Sequence, residues 1–283
     1  MSLLSPTAPV TTTSRLAALK VPPTVQLSFV VIALVIAWSV APGLFTSHSP
    51  INGVPADKLL GPSAAHWFGT DHLGRDLYAR VVHGTSSSVS SALIAVVIAA
   101  VAGGLIGLLA GFFGGWVDIL LARLVDVLLA IPHFLLAVII VTALGFDTTN
   151  AAIATGISAV AVFARVMRAE VIKTRRAVFV EASFLLGGSR WHILLRHVLP
   201  NASRSVLPLA VLQFGLSILV IASLAFLGYG DPPPASDWGL LVSDGREHLL
   251  HAPWLVIAPG LVIAVVVLSV SRLSSWLDLG RNR

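Results

Sequence analysis

Six stretches of this chain, residues 25–45, 89–113, 119–144, 151–167, 206–227 and 254–276, are apolar almost without interruption. About 20 such residues in a helix cross the hydrocarbon layer of a bilayer. Within that layer every backbone N–H and C=O must find its partner inside the protein, which leaves helices or closed barrels. The runs show no strand-like alternation, and only 11% of the chain is charged, against roughly 25% in soluble domains. A soluble globular fold is thereby excluded, and the expected class is an all-α membrane protein with six transmembrane helices. The absence of cysteine removes disulfides, thiolate metal sites and Fe–S ligation from consideration.

The excess of Lys and Arg over Asp and Glu, 18 to 13, reads as a topology signal rather than as a nucleic-acid footprint. With the N-terminus inside, Arg15, Lys20, Arg165, Arg168, Lys173, Arg175, Arg176, Arg190, Arg196, Arg204, Arg272, Arg281 and Arg283 fall on the cytoplasmic side. Only Lys58, Arg75, Arg80 and Arg246 fall outside, and Arg123 lies within the third span. Both termini are therefore expected in the cytoplasm of a multi-pass inner-membrane protein. The first apolar run exceeds the roughly 7 to 15 residues of a secretory signal core, so it is expected to persist as a helix. Short gaps at 114–116 and 145–147 make the flanking spans antiparallel neighbours.

Between the fourth and fifth spans runs a segment too apolar for a solvated loop, from Arg175-Arg176 through Glu181-Ala182-Ser183 to Gly187-Gly188-Ser189-Arg190-Trp191 and Leu199-Pro200. Val178, Ala182 and Leu185 recur at helical spacing, Gly187-Gly188 supplies a stop, and Ser189 can cap a second short helix. Two readings fit such a hairpin: an amphipathic element lying on the inner leaflet, or a plug for another protein's groove.

The order and spacing of Glu181-Ala182-Ser183, Gly187 and Leu199-Pro200 resemble the EAA motif of permease subunits of ATP-binding-cassette importers. Ser183 stands for the motif's second alanine and His197 for its isoleucine. Arg196-His197-Val198-Leu199-Pro200-Asn201 is similar to the corresponding string of the dipeptide, oligopeptide and nickel permease branch. So is His66-Trp67-Phe68-Gly69-Thr70-Asp71-His72-Leu73-Gly74-Arg75-Asp76 to that branch's H-W-F-G-T-D-x-x-G-R-D. The elements Leu224 to Gly230, Trp238-Gly239, Gly245-Arg246 and Ala252-Pro253-Trp254 extend the likeness over all but the first 60 or so residues. Ile221 departs from it, because many members carry a glutamate there.

The resemblance implies a type I ABC importer permease fold with a cytoplasmic EAA coupling hairpin. Its parts would be a cytoplasmic tail (1–24), the first helix (25–45), an extracytoplasmic loop (46–88), a permease core (89–276) holding the hairpin (170–200) and a second outer loop (228–253), and a cytoplasmic C-terminal tail (277–283). It implies a non-catalytic subunit importing dipeptides or oligopeptides by alternating access, with nickel or another small solute as the alternative cargo. The implied partners are a homologous permease subunit, two ATPase domains and an extracytoplasmic solute-binding protein. The chain lacks G-x-x-x-x-G-K-[ST], so ATP and Mg belong to the partner ATPase and no cofactor to this chain. Glu181, Ala182, Ser183, Leu185, Leu186, Gly187, Arg190 and Pro200 are the residues implied to couple to the ATPase.

Other residues carry weaker signals. Gly103, Gly107, Gly111 and Gly115, four apart, make one face of the second helix a groove for close helix packing. The serines at 86–91 read as caps and packing residues. Arg123 and Asp126, three apart, can pair on one helix face, either as a structural ion pair or as an inner gate, with Pro132 able to bend the helix. The H-x-x-H of His248 and His251 with Glu247, and the loop histidines His66, His72 and His83, are read as loop residues, not metal ligands. An ion-gradient transporter is the competing class, but it needs ionisable groups near the midplane, and only the Arg123–Asp126 pair is offered.

Overall fold

The computed structural model describes residues 22–281, with side chains described through residue 277. The tail residues Arg15, Lys20, Arg281 and Arg283, expected in the cytoplasm, fall outside the described side chains. The described residues are helical apart from loops and one isolated bridge between Thr70 and Asp76. Five helices or helical runs are long and apolar enough to cross a membrane, and a bent pair supplies a sixth segment.

Helix α1 (Pro23–Val40) opens on a proline, whose missing N–H costs nothing in a first turn, and stops two residues before Pro42. It is therefore shorter than its apolar run. Helix α2 (Leu77–Phe113) begins twelve residues before the expected 89. Asp76 caps it, accepting from the Ala79 N–H at 2.7 Å. The polar stretch did not signal a helix because its side chains are satisfied by tertiary contacts. Ser88 Oγ accepts from the Trp238 backbone N–H at 3.0 Å, and the serines at 86–91 sit inside the helix rather than capping it.

The third apolar run is not one helix. Helix α3 (Gly115–Ala130) and α4 (His133–Leu144) meet at 92°. Pro132 cannot donate a helical hydrogen bond, and it forces Ile131 out of the helical region, to φ −91° and ψ 129°. Helix α5 (Thr148–Arg175) is capped by Asp147, which accepts from the Asn150 N–H at 2.7 Å. Two further spans, α9 (Val206–Phe226) and α11 (Trp254–Arg281), pack on each other.

Helices α2 and α5 form the most extensive contact of the molecule. Their approach runs along the glycine face. A Cβ on Gly103 would overlap the Val160 carbonyl and lie 2.6 Å from Phe163 Cβ. One on Gly107 would overlap the Ala164 carbonyl, and one on Gly111 would lie 2.8 Å from Val171 Cγ1. Gly115 is different. It lies beyond the end of α2, at φ +56°, with nothing within 4 Å of the position a Cβ would take.

The two loops at the other end of the molecule fold into a cap around the short helix α10 (Trp238–Gly245). Asp71 is its hub. That carboxylate accepts from the backbone N–H groups of Leu73 (2.8 Å) and Arg75 (2.9 Å), from Arg75 Nε (2.6 Å) and from Arg80 Nη1 (3.0 Å). Arg80, 1% exposed, also donates to the Ala235 carbonyl at 2.9 Å and approaches Asp244 at 3.5 Å. Burial opposes the charge of Asp71, but the N–H donors of Arg75 and Leu73 and the Arg75 guanidinium hold its pKa below the ordinary carboxylate value.

Candidate functional site: a two-faced helical hairpin

At the end of α5 the chain turns through Arg176 and Ala177 into α6 (Val178–Leu185) and then into α7 (Arg190–Ile193). Gly187 makes the turn at φ +83°, a conformation that strains L side chains, and the Gly188 N–H donates to the Ser183 carbonyl at 3.0 Å. Ser189 Oγ accepts from the His192 N–H at 3.3 Å and so caps α7. A π-helical stretch, Leu194–Val198, leads into α8 (Leu199–Ala202), where Pro200 occupies the first turn. Asn201 Nδ2 donates to the His197 carbonyl at 2.6 Å. A proline cannot continue the i→i−4 ladder, and a local widening to i→i+5 with a side-chain donor accommodates it.

The two faces of this hairpin have opposite environments. Val180, Ile193, Leu194, Val198 and Ala202 are buried with Leu108 and Phe112 of α2 and Met167 and Val171 of α5. The other face has nothing on it. Leu185 and Leu186 are each 88% exposed and Val178 is 81% exposed, although Val180, two residues on, is at 0%. Glu181, Ala182, Gly187, Arg190 and Pro200 are exposed as well, and Ser183 is half-buried. Thus the structure gathers Glu181, Ala182, Ser183, Leu185, Leu186, Gly187 and Arg190 on one short hairpin, with Pro200 on the returning strand of helix.

Sequence reasoning missed the anchoring residues. Ile193, Leu194 and Val198 follow the motif at helical spacing, which was the available signal. It also missed Trp191, whose ring packs edge-on against Phe113 at 5.9 Å between centroids.

Arg123 and Asp126 do not pair. Helix α3 lies beside α5, so Asp126 meets a cation from across the helices, Arg165 Nη2 at 3.2 Å, and Arg123 is exposed without an ion pair among the described residues. A second bridge ties the same helices, Arg168 to Asp118 at 2.5 and 2.7 Å. In the outer loops the His72 and His248 rings stack at 5.4 Å, and His66 Nδ1 lies 2.8 Å from Asp76 Oδ2.

Residues 103–283 match the family described as the binding-protein-dependent transport system inner membrane component. The chain belongs to that family. Its members are permease subunits of ABC importers: non-catalytic, multi-pass membrane proteins that work with another permease, a binding protein and separate ATPase subunits, which hydrolyse the ATP. Among its relatives is the dipeptide transport system permease protein DppC of Alkalihalophilus pseudofirmus, 39% identical over 250 residues that cover 88% of this chain and 80% of that protein. The glutathione transport system permease protein GsiD of Escherichia coli is 38% identical, over 77% of this chain and 72% of that protein. A probable D,D-dipeptide transport system permease protein of the same species is 35% identical, over 87% of this chain and 82% of that protein. Two solved structures share the fold at low identity. An amino acid ABC transporter aligns with TM-score 0.56 and 18% identity over 73% of this permease and 95% of that chain. The MetNI methionine ABC transporter aligns with TM-score 0.55 and 15% identity over 70% and 96%. The sequence expectation of an all-helical ABC importer permease therefore holds.

Proposed function

We propose that this permease imports short peptides, with both termini in the cytoplasm and the hairpin as its contact with the ATPase. Three relatives named for dipeptides, glutathione and D,D-dipeptides support the cargo class. The orientation follows from charge. Arg165, Arg168, Lys173, Arg175, Arg176, Arg190, Arg196 and Arg204 cluster at the hairpin end, whereas Asp57, Asp71, Asp76, Asp231, Asp237, Asp244 and Glu247 cluster at the other.

The observation that carries the coupling role is the hairpin's division into two faces. Its inner face is built into the core with the ends of α2 and α5, so a push on the hairpin moves those helices. Its outer face presents a bare apolar ridge with Glu181 beside it, the composition of a docking surface awaiting a groove. In the cycle we infer, closure of two ATPase domains on ATP moves the hairpin of this chain and that of a homologous permease. The shared pathway then opens toward an extracytoplasmic solute-binding protein. Reversing a two-state preference from 1:99 to 99:1 requires about 5.5 kcal/mol, a scale within reach of two such docked hairpins. The glycine stripe at Gly103, Gly107 and Gly111 would keep α2 and α5 moving as one body. Asp126 is the gate contact in this reading, now toward Arg165, with Arg123 free to take over when α3 moves. Asp126→Asn should then raise basal ATPase activity without lowering the amount of assembled complex.

The decisive experiment replaces Leu185 and Leu186 together by glutamate. Both side chains are exposed, so thermal unfolding of the purified permease should stay unchanged. Retention of the ATPase during mild-detergent purification should fall at least about tenfold, the effect of losing roughly 1.4 kcal/mol at an interface. Peptide uptake in proteoliposomes should be lost with it. Undiminished retention and uptake would remove the hairpin from the coupling pathway.

A further inference from the structure

Between the inner ends of α2 and α5 and the first half of the hairpin lies a cavity of ≈ 900 Å³. That is within the roughly 300–1,000 Å³ usual for small-ligand sites. Three guanidinium groups line it, from Arg175, Arg176 and Arg190, against two carboxylates, Asp118 and Glu181. Asp118 is already engaged, because Arg168 grips it through two N–H···O bonds. None of the three lining arginines forms an ion pair among the described residues. Three solvent-exposed cations therefore border one open cleft with a single uncommitted carboxylate, Glu181.

We propose that this cavity binds a phosphate ester. Guanidinium forks match phosphate oxygens in bidentate geometry, and several converging on one anion is the arrangement that selects phosphate over a lone carboxylate. The depth of the cavity indicates where that phosphate resides. Helix α5 has 28 residues, hence a length of about 42 Å at 1.5 Å per residue. A bilayer measures about 40–45 Å including its headgroup layers, so Arg175 stands at the level of lipid headgroups. Beside the cavity, Trp116, Ile119 and Leu120 are 75%, 65% and 61% exposed, which gives an acyl chain an apolar flank along α3 while its phosphate faces the arginines. An anionic lipid headgroup is thus the favoured source. Leu185 and Leu186 do not line this site, but Glu181 and Arg190 do, so it shares those two residues and the orientation of the chain with the proposed function.

The test uses the assembled complex in phosphatidylcholine nanodiscs doped with phosphatidylglycerol, comparing wild type with an Arg175→Gln/Arg176→Gln variant that keeps Arg190. Native mass spectrometry would count phosphatidylglycerol retained through delipidation. Wild type should retain it in preference to phosphatidylcholine. The variant should lose that retention by roughly fivefold per arginine, the effect of one cation near an anionic headgroup, while unfolding at the wild-type temperature. Soluble glycerol phosphate distinguishes the sources. If it fails to displace the lipid, the lipid headgroup is the ligand; if it displaces the lipid, a free phosphate ester is. Equal retention by both proteins would overturn the proposal. So would retention that appears only after the ATPase is stripped away, because an acidic ATPase side chain would then fill the cavity. The Leu185→Glu/Leu186→Glu variant should keep its phosphatidylglycerol, so a failed coupling role and a failed lipid site give different results.

Discussion

The outer cap and the inner hairpin are both short helices in loops between spans, yet they are held in opposite ways. In the cap the charged groups are turned inward and most of them are paired, although Arg80 Nε and Asp237 Oδ2 are buried without a partner. Asp71 takes four donors, Arg80 bridges α2 to the loop before α10, and Trp238 is wholly buried with its indole N–H on the Val81 carbonyl at 3.1 Å. In the hairpin one apolar face is turned outward, and the guanidiniums of Arg175, Arg176 and Arg190 form no ion pair among the described residues. A buried charge is costly unless paired, and Asp71 finds both of its cations, Arg75 and Arg80, within this chain. The cap's charges are thus met from within the chain, whereas the hairpin leaves Val178, Leu185 and Leu186 bare. On the proposed function, the first region would stay rigid while a solute is received and the second would be gripped by the ATPase.

The sharpest way to break that contrast is to remove the bridge. Arg80→Ala should cost about 3–5 kcal/mol, because it takes from buried Asp71 one of its two guanidiniums and unpairs half-buried Asp244. The readout is the thermal unfolding of the detergent-solubilised permease. A shift no larger than that of an exposed substitution would mean the cap is not held by this pair. A smaller effect, about 1–3 kcal/mol of overpacking, is expected from Gly84→Ala. There a Cβ would collide with the Ser236 carbonyl, pushing the loop before α10 off α2. If the same thermal measurement finds the alanine variant as stable as wild type, α2 and that loop are not in fixed contact.

The contrast was only half legible in the sequence. The hairpin's turn could be read locally, because Gly187-Gly188 and Ser189 signal a stop and a cap by their own chemistry. So could the break at Pro132, whose ring acts on its neighbours. Which face of the hairpin is bare could not be read, because Val178 and Val180 are the same residue type and only the packing of α2 and α5 tells them apart. Residues 77–88 looked like loop because Arg80, His83 and the serines are polar, and the partners that make them helical lie some 150 residues away in α10 and the preceding turn. For the same reason Asp126 was assigned its sequence neighbour Arg123 instead of Arg165. Local chemistry is written in adjacent residues, and charge pairing across helices is not.

The smallest expected effect sharpens the comparison most, because it separates two carboxylates inside the cap. Asp237 caps α10, accepting from the Gly239 and Leu240 N–H groups at 3.0 and 3.2 Å, while its Oδ2 is buried without a partner. Burial pushes its pKa above the ordinary value, those two N–H groups act against the shift, and Asp231 and Asp244 add to it. Asp237→Ala should cost about 1 kcal/mol as a lost cap, whereas Asp237→Asn keeps an acceptor and should change stability by no more than a few tenths at neutral pH, within the range of about ±0.5 kcal/mol for benign substitutions. The pH dependence supplies the sign. A carboxyl whose folded pKa is raised contributes stability that is present in full below its unfolded value, near 3.8, and is lost as pH rises through the folded value. Wild type should therefore gain on Asp237→Asn as the medium is acidified from neutral. Asp71 runs the other way: its folded pKa is lowered, so its contribution is present above 3.8 and disappears as pH falls below that. Wild type should lose its advantage over Asp71→Asn on acidification. Thermal unfolding of the three proteins between neutral pH and pH 3 would show the two differences changing in opposite directions. Parallel curves would mean that Asp237 is ionised in the folded protein and held by its donors as Asp71 is.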